Sequence, residues 1–210
     1  MRYILIHGLG QSSSSWEKTI LHMEDKFNVY CPDVPRLLNG KEPNYNNLYH
    51  AFSEYLQEST EPVCLCGLSL GAILALNYAL DQPGKVQSMI LIGAQYKIPK
   101  GLLRLQNVIF RFMPEASFQS LGFSKKNFIQ LSKSLIALDF SKRLADLRCS
   151  TLILCGEKDS ANKKAARELA HQIPEAEFRT VNGAGHEVNA DAPEKLASII
   201  NEFWSEKQSS

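Results

Sequence analysis

The chain has 210 residues, enough for one domain that buries most of its apolar surface on folding. Hydrophobic residues make up 44% and charged residues 21%, ordinary globular usage that excludes a disordered or fibrous chain. Lys and Arg number 23 against 22 Asp and Glu, so the net charge of +1 supplies no whole-molecule field for nucleic acid or an anionic membrane.

The first predicted strand is Arg2–His7, whose apolar stretch Tyr3 to Ile6 is too short for a secretory signal. No run approaches the roughly 20 apolar residues of a membrane span. A glycine-rich turn, His7-Gly8-Leu9-Gly10, follows, then a helix expected over Ser14–Lys26 with Ser14 and Glu17 as a capping box. Strand Asn28–Pro32, helix Asn46–Glu58, strand Pro62–Gly67 and helix Leu70–Gln82 come next, the last stopped by Pro83-Gly84. The final elements are strand Val86–Gly93, strand Thr151–Gly156, helix Ala161–Gln172 ending at Pro174, strand Glu177–Val181 and helix Pro193–Lys207. Strands alternating with helices imply an α/β fold, a mostly parallel six-stranded sheet with helices on both faces. The five cysteines (31, 64, 66, 149, 155) are an odd number, and Cys64, Cys66 and Cys155 lie in apolar strands. That pattern points to reduced, buried thiols in a cytoplasmic protein, and Cys64-x-Cys66 lacks the spacing of a zinc site.

Between Gly93 and Thr151 the rhythm breaks. Leu102, Leu105, Ile109 and Phe112 fall at helical spacing up to Pro114, with Arg104 and Arg111 off that stripe. Phe128, Ile129, Leu131, Leu135 and Leu138 suggest a second helix. An insertion at the C-terminal end of a strand in such a sheet overhangs the ligand crevice, so residues 95–148 are expected to form a helical lid within the single domain 1–210. This segment holds ten Lys and Arg against Glu115, Asp139 and Asp146, a net +7 set against −6 elsewhere.

Gly67-Leu68-Ser69-Leu70-Gly71 joins an apolar strand to a helix. Small flanks suit a serine held on a sharp strand-to-helix turn, its hydroxyl lifted above the sheet edge. A serine hydroxyl needs a base, and the base an orienting carboxylate. His186, in Gly183-Ala184-Gly185-His186, and Asp159, three residues past Gly156, both fall at C-terminal strand ends on the same rim as Ser69. Asp159 also suits the N-cap of the following helix, while Glu157 and Asp191 are alternative acids, the latter expected to serve the start of the last helix. The N–H groups of Leu70 and Leu9 are the candidate oxyanion donors. His7 ends its strand and is not assigned a proton; His22, His50 and His171 lie on helix patterns as surface or packing residues.

These four motifs together resemble the α/β-hydrolase superfamily, and the likeness continues in Ser14-Ser15-Trp16 and in Tyr78-Ala79-Leu80-Asp81-Gln82-Pro83 running into Val86. Members are mostly esterases, lipases, thioesterases and amidases, with haloperoxidases, epoxide and C–C bond hydrolases and some lyases. The resemblance implies a triad of Ser69, His186 and Asp159 acting without cofactor or metal on a small-molecule ester or thioester. The lid's net charge of +7 suits either an anionic substrate group or a solvated outer face. A serine at this turn argues against the epoxide and haloalkane branches, which use aspartate there. Two departures stand out: the first two strands of the usual sheet are missing, leaving a reduced sheet of six, and Pro32-Asp33-Val34-Pro35-Arg36 runs on without the family's glycines and serine. Other readings of the same residues are a lyase or C–C bond hydrolase on a small organic acid, a non-catalytic ligand-binding module, and a membrane-surface role for the Arg104/Arg111 helix.

Overall fold

A computed structural model of the chain describes residues 1–24, 27–98, 114–115, 118 and 124–208. The strands are β1 (Arg2–Ile6), β2 (Val29–Tyr30), β3 (Val63–Leu68), β4 (Val86–Ile92), β5 (Ser150–Gly156) and β6 (Glu177–Val181). They form one sheet in the order β2-β1-β3-β4-β5-β6, with every neighbouring pair parallel. The order follows from pairing in register, such as Leu5 with Cys66, Cys66 with Ile90 and Ile90 with Leu152. The helices are α1 (Glu17–Ile20), α2 (Val34–Leu37), α3 (Tyr45–Gln57), α4 (Leu70–Asp81), α5 (Lys125–Ser134), α6 (Ser160–Gln172), α7 (Val188–Asp191) and α8 (Pro193–Gln208). None of the described helices is long and apolar enough to cross a membrane.

Strand alternation sorts the core into two layers. Ile4, Ile6, Leu65, Met89, Leu91 and Ile153 face the side covered by α3, α4 and α6, whereas Tyr3, Leu5, Cys66, Ile90, Ile92, Leu152 and Leu154 face the other. On that second side the α8 stripe Leu196, Ala197, Ile200, Phe203 and Trp204 is fully or almost fully buried. Phe203 alone contributes about 1.5–3 kcal/mol by its burial. The Trp204 ring lies 4.7 Å from that of Tyr3. Helix α4 is apolar nearly all round, since it lies under α3 as well as on the sheet.

Two expected elements differ. The helix expected over Ser14–Lys26 is a 3-10 turn, Ser13–Trp16, followed by the short α1. The Ser14/Glu17 capping box does not form, because Ser14 lies inside that turn with its hydroxyl 2.7 Å from the hydroxyl of Ser12, the residue at the N-cap. The strand expected over Asn28–Pro32 is only Val29–Tyr30, an edge strand paired on one side alone, which Pro32 cannot prolong. Helices α2 and α7, each four residues long, carried no periodic signal.

Between β4 and β5 the described part of the chain leaves and returns through a narrow neck. Phe140 N donates to Tyr96 O at 2.8 Å and Ile98 N to Leu138 O at 3.3 Å. Lys97 bridges Asp139 at 2.9 Å beside them. Phe128, Leu131 and Leu135 are buried as their spacing predicts, and Phe128 meets Phe118 edge-on at 5.1 Å. The expected stripe Leu102, Leu105, Ile109 and Phe112, with Arg104 and Arg111, lies outside the described residues.

Candidate active site

Ser69 stands between the end of β3 and the start of α4 with φ 53° and ψ −109°, a conformation a side-chain-bearing residue adopts only at a cost of about 1–3 kcal/mol. Its flanking glycines explain how the turn is possible. A Cβ on Gly67 would lie 2.4 Å from the Gly71 carbonyl, and one on Gly71 would lie 2.2 Å from Ile6 O. Strand and helix therefore cross closer than any side chain permits. Leu70 begins α4, so its N–H has no partner inside the helix and points to the helix's positive end. Gly8 brings the loop after β1 against the serine, a Cβ there being 3.5 Å from Ser69 Cβ, and Leu9 follows on that loop.

His186 and Asp159 are joined directly. Nδ1 of His186 and Oδ2 of Asp159 are 2.8 Å apart, with the carboxyl side chain 4% exposed and the imidazole 40% exposed. A carboxylate only accepts, so Nδ1 carries the proton and Nε2 the lone pair. The imidazole rests on Gly93, just past β4: a Cβ there would sit 2.9 Å from its Cε1 and 3.0 Å from Nδ1. Leu68 pairs with Ile92, and Ser69 N donates to Ile92 O at 2.9 Å, so Ser69 lies at the strand end beside Gly93, the residue on which the imidazole rests.

Asp159 is also the N-cap of α6, accepting from Asn162 N at 3.3 Å. The Asn162 side chain, which the sequence did not single out, donates Nδ2 to both carboxyl oxygens at 2.8 and 2.9 Å. Gln95 Nε2 in turn donates to Asn162 Oδ1 at 2.6 Å. Burial pushes the Asp159 carboxyl up, but the hydrogen bonds from His186 and Asn162 outweigh it and hold the group below its ordinary value.

The alternative acids are occupied elsewhere. Glu157 accepts Gly183 N at 2.8 Å. Asp191, expected to serve the last helix, instead ends α7 and accepts Gly185 N at 2.7 Å, because the loop carrying His186 turns back over it. Both carboxylates thus fix the backbone of that loop.

His7 is buried, donates Nδ1–H to Gly8 O at 2.9 Å and accepts Val34 N on Nε2 at 3.0 Å. Burial lowers its pKa, against the Gly8 hydrogen bond and the Asp33 charge. It is a neutral strut pinning Gly8 to the start of α2, and both ring nitrogens are engaged. His50 and His171 are exposed, and His22 lies 3.6 Å from Glu194. Burial raises the thiols of Cys66 and Cys155, the latter to about 11, so neither is a ready thiolate. Among the described residues no group of three or more His, Cys, Asp and Glu is placed to hold a metal ion.

A parallel sheet with a strained serine after its third strand and a hydrogen-bonded carboxylate–imidazole pair on the same rim defines an α/β-hydrolase. The chain belongs to the alpha/beta hydrolase family, whose model matches residues 3–199. One relative is the pimeloyl-[acyl-carrier protein] methyl ester esterase of Vibrio campbellii, 28% identical over 95% of this chain and 93% of its own length. Monoacylglycerol lipase ABHD6 of Homo sapiens is 21% identical over 95% of this chain and 74% of its own. Among solved structures, a thermophilic esterase from Thermogutta terrifontis shares the fold with a TM-score of 0.80 at 19% identity, covering 99% of this chain and 90% of that one.

Proposed function

We propose that the protein is a serine hydrolase that cleaves a carboxylic ester or thioester through Ser69, His186 and Asp159. The observation that carries this reading is the 2.8 Å Asp159–His186 hydrogen bond, with the imidazole seated on Gly93 at the strand end that adjoins the strained Ser69. Ester hydrolysis by the Vibrio campbellii relative, as its name states, supports the substrate class. In the first half-reaction His186 Nε2 takes the Ser69 hydroxyl proton as Oγ attacks the substrate carbonyl. The Leu9 and Leu70 N–H groups receive the oxyanion, and Asp159 steadies the imidazolium. Collapse breaks the bond to the alcohol or thiol, which leaves with the proton from His186. Water then attacks the acyl-enzyme with His186 again as base, releasing the acid and the free serine. The segment 95–148 serves as a lid: its neck follows the end of β4, and its net +7 favours an acyl group that carries an anionic end.

The test combines a fluorophosphonate probe with p-nitrophenyl esters of graded length. Wild type is labelled and Ser69→Ala is not, while His186→Ala loses about 10³-fold or more in kcat. Near-full activity in either variant refutes the assignment.

A further inference from the structure

We infer that Gln11 and Asn189 act as a pair of positioning residues that clamp the oxyanion loop to the loop carrying the general base. The inference rests on the Ser69–His186–Asp159 reading above. Gln11 is 8% exposed and Asn189 is completely buried, unusual places for two carboxamides. They form a reciprocal pair: Gln11 Nε2 donates to Asn189 Oδ1 at 3.1 Å, and Asn189 Nδ2 donates to Gln11 Oε1 at 3.2 Å. Gln11 Oε1 also accepts Gly8 N at 3.3 Å and Ser15 Oγ at 3.3 Å. Asn189 Nδ2 reaches Ser15 O at 3.3 Å and Ser15 Oγ at 3.2 Å.

The ends of this network are the two places where catalysis needs fixed geometry. Gly8 immediately precedes Leu9, the proposed donor, and packs against Ser69. Asn189 lies in α7, three residues after His186. Among the described residues, these are the hydrogen bonds joining residues 8–15 to residues 183–192. Apolar side chains would fill the same space, since Trp16, Ala184, Val188 and Leu196 are buried in this layer. They would leave the two loops free to slide, whereas paired amides are directional and a slip leaves buried donors and acceptors unpaired. A clamp of this kind acts on the transition state, because it sets the distance between the oxyanion donors and the base without touching the substrate.

The experiment compares wild type with Gln11→Met, Asn189→Leu and the double variant on p-nitrophenyl butyrate, with phenylboronic acid as a tetrahedral adduct of Ser69. The expected result is a kcat loss of about tenfold or more with KM within about twofold. Boronate affinity weakens in parallel, and the double variant is no worse than either single one. A folded variant that keeps kcat and boronate affinity within about twofold of wild type overturns the clamp, as does a change confined to KM. Should neither variant fold, wild type decides: the Gly8 N–H and the Gln11 and Asn189 side-chain amide signals shift together on boronate binding, and unmoved signals overturn the inference. Ser69→Ala separates the two readings. Full activity there removes the triad itself, whereas Ser69-dependent hydrolysis indifferent to the clamp variants removes only the clamp.

Discussion

Gly93→Ala tests the seating of the imidazole. The backbone at Gly93 has φ +58°, so a side chain there incurs about 1–2 kcal/mol of left-handed strain. At about 2–4 °C per kcal/mol for a domain of this size, the melting temperature falls by about 2–8 °C. The new methyl group also arrives 2.9 Å from His186 Cε1, 3.0 Å from Nδ1 and 3.5 Å from Asp159 Oδ2. Carbon contacts settle at about 3.5–4.0 Å, so the ring must withdraw by roughly 0.5–1 Å. The Asp159 bond at 2.8 Å then stretches or bends, and the ring moves relative to Ser69. Misplacement of that size costs about 10²-fold in kcat, equivalent to about 2.7 kcal/mol. Gly40→Ala is the matched control: it has φ +80° with nothing within 4 Å of the new Cβ, so it meets the backbone strain without the collision. The assay is kcat on p-nitrophenyl butyrate beside a thermal melt of each variant. Folded Gly93→Ala with kcat within about threefold of wild type, or Gly40→Ala losing as much activity, refutes the reasoning.

Asn162→Leu removes side-chain donors that help keep the Asp159 carboxyl low, so its pKa rises, which an NMR titration of the Asp159 carboxyl carbon checks. At pH 7.5 kcat on p-nitrophenyl butyrate falls by about threefold to tenfold, the worth of one hydrogen bond. His7 has a folded pKa below its ordinary 6.5, so the unfolded chain binds the proton first and wild type loses stability as pH falls through about 6.5 toward the folded value. His7→Asn lacks this component, and melts at pH 7.5 and 5.5 should show the gap between the two proteins narrowing at the lower pH. Ser69→Gly relieves the strain at φ 53° that Ser69→Ala retains, so the glycine variant should melt higher by about 2–4 °C, with no hydrolysis from either.

Much of the site was legible because each group sits next to a strand end. Runs such as Met89-Ile90-Leu91-Ile92 announce strands buried on both faces, and whatever follows their last residue is on the rim. Ser69, Asp159 and His186 are proposed from that rule together with the Gly67-to-Gly71 motif and a serine's need for a base and a carboxylate, since chain separation says nothing about distance once the strands are parallel neighbours. The residues that stayed hidden are those whose partners come from another loop. Asn162 looks like an ordinary first-turn residue of α6, and only the fold shows Gln95 on its far side. Gln11 and Asn189 are 178 positions apart, and polar letters in two stretches that read as loops give no sign of pairing. The misjudged first helix has a different cause: in a run of four serines, Ser14 Oγ lies 2.7 Å from Ser12 Oγ and Ser15 Oγ donates to Ser12 O at 2.7 Å, and these local bonds compete with a regular helical start.

The strand order also sets a problem that the glycines solve. Along the rim the groups run Leu9, Ser69, Gly93, Asp159, His186, in the order β1, β3, β4, β5, β6. His186, the proposed base, therefore leaves the sheet at its edge strand, two strands away from the end of β4 where its ring lies. Its loop has to fold back across the end of β5, and it does so at Gly156. A Cβ on Gly156 would lie 2.0 Å from Gly185 O and 2.6 Å from Ala184 O. With that side chain absent, Ala184 O accepts Lys158 N at 2.8 Å and the loop lies flat over the strand end. The same crossing carries His186 past Asp159, which caps α6 from the end of β5, and so the carboxylate meets the imidazole. Gly156 and Gly93 are thus the two points over which the loop passes. Each lies at the end of a buried strand, and a larger residue at either would lift the imidazole off its seat while leaving the sheet beneath it intact.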